Sequence, residues 1–432
     1  MSFPRYPKYK ASGVEWLGEV PEQWEVKRLR QVGRLLKGSG GSKEDLVETG
    51  VPCIRYGDLY TTFSFHITKA RGFVTTERVH DYTPIEAGDV LFAASGEKLA
   101  EIGKSAVNLL GAPAVCGGDV VILRPDVAVD SRFLGFACDS PAAAMQKASM
   151  GRGTTVKHIY PDELRQVLLA FPPLAEQRAI AAFLDRETKK IDELVAEQER
   201  LIELLKEKRQ AVISHAVTKG LDSAAPMKPS GVEWLGDVPA HWEVKKLRFL
   251  CDVTTGSRDT DEAQDDGEFP FFVRSQIVER IGSFSADCEA VLTAGDGAGV
   301  GKVFHHFEGK FDFHQRVYML SSFRKIRGRF AFHFLRENFY KVALEGGAKS
   351  TVDSLRRPMF LNFWMTVPSD AEQVAILAEV EQAIQQFGDL EEASLRAIAL
   401  LTERRSALIS AAVTGQIDVR NAVPSANSTE AA

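Results

Sequence analysis

The feature that most constrains this chain is a stretch written twice. Ser12–Arg30, SGVEWLGEVPEQWEVKRLR, returns as Ser230–Arg248, SGVEWLGDVPAHWEVKKLR, with fifteen of nineteen positions identical at a displacement of 218. A second duplication runs from Leu174–Thr218 to Asp370–Thr414, without a gap, at a displacement of 196. Each half therefore reads as a shared opening, a variable middle and a long repeated segment, and the change from 218 to 196 makes the first middle 22 residues longer. An internal repeat with divergent middles calls for two similar scaffolds carrying two different surfaces.

The long segments carry apolar residues at a spacing of seven. One column holds Leu184, Ile191, Gln198, Leu205 and Val212, matched by Val380, Phe387, Ser394, Leu401 and Leu408. The expected second column passes through Ile180, Glu187, Leu194, Leu201 and Lys208, matched by Ile376, Ala383, Leu390, Ala397 and Arg404. A seam kept over several heptads predicts coiled-coil-like helices, each about 60 Å long at 1.5 Å per residue. Two surface helices on separate cores are the alternative; the matched polar breaks at Gln198 and Ser394 favour pairing with each other.

Within the middles, Asp119–Pro125 and Arg316–Leu320 read as strands, followed by amphipathic helices starting near Asp130 and Gly328. Glycine-rich loops follow at Gly151–His158 and Gly346–Ser354, then a strand leading through Pro172-Pro173 or Pro368 into the long helix. The fold class is α+β with a pseudo-two-fold internal repeat. Its segments are a first unit at 1–172, a long helix at 173–218, a linker at 219–229, a second unit at 230–367, a second long helix at 368–418 and a disordered tail at 419–432. Glycines and prolines in Lys219–Gly231 mark the linker.

A chain of 432 residues with 44% hydrophobic content has room for two substantial cores. No apolar run approaches the roughly 18 residues of a membrane span, and the polar start MSFPRYPKYKASG lacks a signal-peptide core, so a cytoplasmic protein is expected. Cys53, Cys116, Cys138, Cys251 and Cys288 form no CxxC pair and read as unpaired thiols. The net charge of −6 argues against a nucleic-acid binder. That excess, however, sits largely on the long helices, and the rest of the chain holds 42 basic and 43 acidic residues.

Catalytic patterns fail on inspection. Gly295–Lys302, GDGAGVGK, has Asp296 where a phosphate loop needs glycine, and Val303 where it needs Ser or Thr. Pro161, Asp162, Glu187 and Lys189 formally match a nuclease pattern, but Glu187 falls in the expected coiled-coil seam, away from any strand that could hold both carboxylates on one metal. No methyltransferase-type Asn-Pro-Pro-Tyr appears. His305, His306 and His314 lack accompanying cysteines or spaced carboxylates, so no metal site is expected.

The duplicated opening, the FPPLAEQRAIAAFLD lead into the first long helix and GDGAGVGKVFHHFEGKFDFHQRVYML together resemble the specificity subunits of type I restriction-modification systems. The resemblance covers nearly the whole chain in the family's order. It implies two target-recognition domains that each read half of a split DNA site, separated by two long helices forming an antiparallel coiled coil. It also implies a non-catalytic subunit without cofactor. Its expected partners are double-stranded DNA, two methyltransferase subunits carrying S-adenosylmethionine, and an ATP-dependent restriction subunit where one joins. The second lead reads VPSDAEQVAILAEV, which departs from the first. A stand-alone DNA-modifying enzyme and a coiled-coil scaffold without DNA role are the competing readings.

Residues able to contact bases or phosphates are Arg55, Tyr56, Arg71, Lys98, Lys104, Arg152 and Lys157 in the first middle. In the second they are Arg274, Gln276, Lys302, His314, Gln315, Arg316 and Lys349. The repeated opening is either a structural collar or a direct DNA contact. Trp16, Trp24, Trp234 and Trp242 at matched positions favour the collar.

Overall fold

The computed structural model describes residues 3–41, 45–343 and 355–422. Two compact units emerge, one comprising Met1–Glu197 with Ala397–Ala432 and the other Gln198–Arg396. Each unit therefore contains the start of one long helix and the end of the other.

The first unit holds two five-stranded sheets. One runs Gly33–Lys37, Val120–Pro125, Val90–Ala93, Ser105–Asn108, Phe65–Ile67; the other runs Leu46–Val47, Gly72–Val74, Val51–Ile54, Ala114–Cys116, Thr83–Ile85. The run Val90–Ala93 is apolar at every position because both its faces are covered. Val90 and Phe92 join the core beneath the helix Ser131–Cys138, while Leu91 and Ala93 join a second core with Ile54, Leu59 and Ile122. That helix starts where expected, since Asp130 caps it by accepting from Phe133 N–H at 2.9 Å.

The second unit is built on one six-stranded sheet in the order Asp252–Thr255, Val317–Ser321, Ala286–Ala294, Phe304–Phe313, Phe269–Phe272, Glu279–Ile281. Its pairings are antiparallel except Phe269–Phe272 with Phe304–Phe313. The helix Gly328–Asn338 buries Phe330, Ala331, Phe334 and Leu335 in the core of this unit. The middles thus diverge in sheet construction as well as in sequence.

The repeated openings fold alike. Tyr9–Ala11 pairs with Glu19–Pro21, and Met227–Pro229 with Asp237–Pro239. Each hairpin turns through a glycine with positive φ, Gly18 at 64° and Gly236 at 62°, a conformation costly for residues with a Cβ. Glu25–Arg28 then pairs with Leu168–Phe171, and Glu243–Lys246 with Trp364–Val367. Two segment boundaries need correction. The expected linker at 219–229 contracts, because Lys219 ends the helix and Met227–Pro229 is a paired strand. Residues 419–422, expected in the disordered tail, are packed instead: Val419 is fully buried in the first core, Ala422 packs against it, and Asp418 N–H donates to Pro4 O at 2.8 Å.

The long helices span Leu174–Lys219 and Asp370–Val413. Within the first unit Arg405 pairs with Asp192 at 2.8 Å, and within the second Arg209 pairs with Glu391 at 3.5 Å. Residue numbers rise on one helix as they fall on the other, so the pairing is antiparallel. The first column lies in the seam: Leu184, Ile191, Val380 and the break Ser394 are buried, and Leu205, Val212, Phe387, Leu401 and Leu408 are half-buried. The second column is displaced by one residue. Ile180 and Ile376 are buried in their cores, but Leu194, Leu201 and Leu390 are 46, 41 and 52% exposed. The seam instead takes Thr188, Val195, Ile202, Arg209 and Ala216, with Ile384, Glu391, Ile398, Arg405 and Ala412 opposite. Positions three and four after a seam residue are neighbours on a helix, and the facing helix decides which is covered.

Candidate nucleic-acid interface

In the first unit the short helix Tyr56–Thr61 stands at the centre of three adjoining depressions. The first is lined by Lys37, Gly38, Gly40, Gly41, Arg55, Tyr56, Gly117, Gly118 and Asp119. The second adds Arg71 beside Arg55 and Gly57, and the third adds Lys98 beside Tyr56, Tyr60 and Gly96. Four of the seven candidates in this unit, Arg55, Tyr56, Arg71 and Lys98, are thereby brought to one surface. Sequence reading missed Lys37 and the glycines. Gly118 N–H donates to Gly40 O at 2.7 Å, and a Cβ on Gly38 would stand 2.2 Å from Gly117 O. Glycine is therefore required for the two loops to close on each other.

Arg55 keeps its guanidinium 3.6 Å from Asp58, and its buried Nε has no hydrogen-bond partner among the described residues. Arg71 donates to Thr62 Oγ1 at 2.8 Å, and Lys98 lies 3.7 Å from Glu101 with 72% of its side chain exposed. Tyr56 is 42% exposed beside them. Cations held by single weak contacts around glycine-rich backbone suit phosphates, and an arginine with an exposed aromatic suits base edges. The other candidates are placed differently. Lys104 donates to Tyr60 O at 3.4 Å, Lys157 to Gly153 O at 2.8 Å, and Arg152 lies 3.4 Å from Glu163.

In the second unit Arg274 and Arg316 share Asp296, at 3.0 and 3.6 Å. Gln276 is exposed next to Ile277, which is 75% exposed. Gln315 donates to Asp259. His314 is withdrawn from the surface: it is buried, its Nδ1 accepts from Arg316 N–H at 2.9 Å, and its Nε2 lies 3.6 Å from Asp259. It shapes the turn that presents Arg316. Lys302 departs from this group and faces the first long helix, and Lys349 lies outside the described residues, as does the Gly346–Ser354 loop. His305 and His306 are engaged separately, with Ser275 O at 3.0 Å and Glu289 at 2.9 Å.

The repeated openings pack as a collar would, tying each unit to a long helix. Trp24 and Trp242 are buried, and each donates its indole N–H to a matched glutamate, Glu176 at 3.0 Å and Glu372 at 2.9 Å. These glutamates belong to the repeated Ala-Glu-Gln lead of each long helix. The adjoining glutamines act alike: Gln177 Oε1 accepts from Asp130 N–H at 2.9 Å, and Gln373 Oε1 from Arg327 N–H at 2.8 Å. One side chain holds the opening to the long helix, and the next holds the start of the domain helix to it. Trp234 stacks on Phe363 at 5.2 Å, whereas Trp16 is 37% exposed.

Burial pushes the Glu372 carboxyl up, but hydrogen bonds from His241, Trp242 and Ser369 outweigh it and bring it down to about 2. A carboxylate depressed in the folded state stabilises above its ordinary pKa and loses that contribution as pH falls through the folded value. Stability carried by Glu372 should therefore disappear between the ordinary 4.5 and about 2. Glu372→Gln is expected to lower the urea midpoint at neutral pH and to flatten its decline over that window. An unchanged acid profile would contradict it.

Two divergent sheet units, each presenting exposed arginines and held by the same collar and helix, define an internally duplicated recognition architecture. The chain belongs to the type I restriction modification DNA specificity domain family, which matches residues 21–204 and 239–399. It is 31% identical over 183 residues to the specificity subunit of the type I restriction enzyme EcoDI of Escherichia coli, covering 42% of this chain and 40% of that one. It is 28% identical over 241 residues to the EcoKI specificity subunit of Escherichia coli strain K12, covering 55 and 50%. The chain thus spans about half the length of the curated relatives it matches. A solved structure titled for complex assembly and conformational transition of the type I R-M system superposes with a TM-score of 0.69 at 18% identity, covering 91% of this chain and 98% of that one. The HsdS subunit of Thermoanaerobacter tengcongensis gives 0.54 at 18% identity, covering 92 and 98%. At such identity these structures speak for the fold. Among the described residues no helix is long and apolar enough to cross a membrane.

Proposed function

We propose that this chain is the sequence-specific DNA-recognition subunit of a type I restriction-modification complex, reading a bipartite site with one unit per half. The observation that carries it is the pairing of matching collars with non-identical surfaces, Arg55, Tyr56, Arg71 and Lys37 in one unit and Arg274, Gln276 and Arg316 in the other. Such a chain changes what it reads without changing what it assembles with. Chemistry then belongs to the partners: methyltransferase subunits holding S-adenosylmethionine, and an ATP-driven restriction subunit where one joins, all in the cytoplasm.

Exposed leucines on the long helices support docking at two places. Leu194 and Leu390 are matched by the repeat, as are Leu204 and Leu400, and all four are 46 to 66% exposed. The register fixed by the two interhelical ion pairs brings Leu194 and Leu400 within about one or two turns of each other along the first unit's helix pair, and Leu390 and Leu204 likewise in the second. Two equivalent apolar sites suit two copies of one partner.

The test is selection from a random duplex library by the chain assembled with its methyltransferase subunits. Enrichment of one split site is the expected result; absence of any sequence preference, or equally tight specific binding by the isolated chain, would contradict the proposal. In the same assay Arg55→Ala should weaken cognate binding by about 5- to 150-fold, corresponding to about 1–3 kcal/mol, with the circular dichroism melt unchanged. A loss uniform across sequences would assign Arg55 to phosphate, and a loss confined to the cognate base to readout.

A further inference from the structure

Where each sheet unit meets its own pair of long-helix segments there is a depression, and the repeat makes the two depressions counterparts. In the second unit it is lined by Lys206, Arg209, Gln210, Lys302, Arg336 and Glu337, with Gly301, Ile213 and Ile384. In the first it holds Asp185, Asp192, Glu193, Lys189 and Arg405, with Phe65, His66 and Phe136. Arg209 and Arg405 are the same repeat position, and so are Ile384 and Thr188, a lining residue in each.

The charge nevertheless differs. Four cations from three separate elements converge in the second unit: Lys206 and Arg209 from the first long helix, Lys302 from the turn at Gly301, and Arg336 from the helix Gly328–Asn338. Bringing cations together costs Coulomb energy, and the fold does not require it, because the counterpart depression is built with three carboxylates. Lys206 has Thr402 at its repeat position. The neighbouring carboxylates compensate only in part: Glu203 lies 2.9 Å from Lys206, Glu391 3.5 Å from Arg209 and Glu337 3.8 Å from Arg336. Burial pushes the Glu337 carboxyl up, which weakens its share. Gly301 sits at φ 66°, in the left-handed region that glycine adopts freely, at the turn that carries Lys302.

We infer that this depression is a phosphodiester-binding site, in which Lys206 and Lys302 with Arg209 and Arg336 hold one stretch of DNA backbone on the second unit's side only. The inference rests on the proposed DNA-recognition function and extends it to a long-helix surface, which carries no base-reading role. Backbone contact of this kind fixes register and adds affinity without adding sequence preference.

The experiment uses the chain assembled with its methyltransferase subunits and a duplex carrying the selected site. Lys206→Gln with Lys302→Gln should leave assembly and the selected sequence unchanged. The fall in affinity between about 50 and 200 mM salt should become smaller by roughly three- to four-fold for each phosphate that the variant no longer neutralises. Methylphosphonate scanning should find a neutralised phosphate flanking the second half-site that weakens the native complex and leaves the double variant indifferent. An unchanged salt dependence with assembly intact overturns the inference, and so does loss of methyltransferase docking, which would make the surface a protein contact. If inorganic phosphate raises the thermal midpoint through these lysines while no DNA phosphate matters, the ligand is a free anion and the DNA site is refuted. Failure of the native complex to select any sequence would instead sink the function on which the inference rests.

Discussion

Removing one heptad from each long helix, Val195–Leu201 and Glu392–Ile398, is expected to shorten the non-specific gap of the recognised site by about three base pairs while leaving both half-sites unchanged. Seven residues correspond to about 10 Å of helix, and about 10 Å corresponds to about three base pairs at 3.4 Å each. The deletion points are chosen from the seam. Arg405 with Asp192 and Arg209 with Glu391 lie outside the removed segments, and both seam columns continue across the joints, because a spacing of seven is preserved. A helix axis inclined to the DNA would give a smaller change of the same sign. Removing three residues instead, Ala196–Gln198 with Ala393–Leu395, carries Ile202 and Ile398 out of the seam and should abolish assembly. Selection of methylated sites from duplexes with randomised gaps reads both outcomes. A folded heptad variant with an unchanged gap would show that these helices do not set the spacing.

Much of this architecture is legible before any coordinates, because a duplication states which residues must be alike. The collar and the two helix leads follow from it, while the strands at Val120–Pro125 and Val317–Ser321 are read from their own apolar runs. The second seam column follows from neither. Leu194, Leu201 and Leu390 are as apolar as seam residues, and their heptad spacing is equally regular, so the pattern alone cannot tell a covered leucine from an exposed one. Arg209 and Glu391 look like surface residues in sequence and are seam residues in the fold, where each supplies the other's counter-charge. The recognition surface was legible only in part for a related reason. Lys37 and Gly38–Gly41 gain meaning when Gly117 and Gly118, some 80 residues later, close against them. His314 is polar by type yet buried, because Asp259 and the Arg316 amide satisfy it. Burial of a single polar residue depends on partners remote in sequence, whereas a repeat depends only on the sequence itself.

Exchanging the first middle for that of another family member should change one half-site completely and leave the other intact. The fold refines where to cut. Glu25–Arg28 pairs with Leu168–Phe171 and belongs to the collar, and Leu29 N–H donates to Val167 O at 3.0 Å, so the graft should run from Arg34 to Ile159 and retain these strands. Inside those limits lie Lys37, Arg55, Tyr56, Arg71 and Lys98. Outside them remain Trp24, Glu176 and Gln177, which tie the opening to the first long helix, and the whole of the second unit. The tryptophan–glutamate and glutamine–backbone contacts recur in both halves, so the graft meets a scaffold that already supports two different sheet constructions, one with paired five-stranded sheets and one with a single six-stranded sheet. Sequence preference at each half-site comes from contacts to its own bases, and the new half-site should therefore be that of the donor protein, with the gap unchanged because neither long helix is altered. Methylome mapping of cells carrying the exchanged chain and its methyltransferase reads the result directly. A simultaneous change in both half-sites would mean that the two units do not read independently, and that the division of labour drawn from the repeat is wrong.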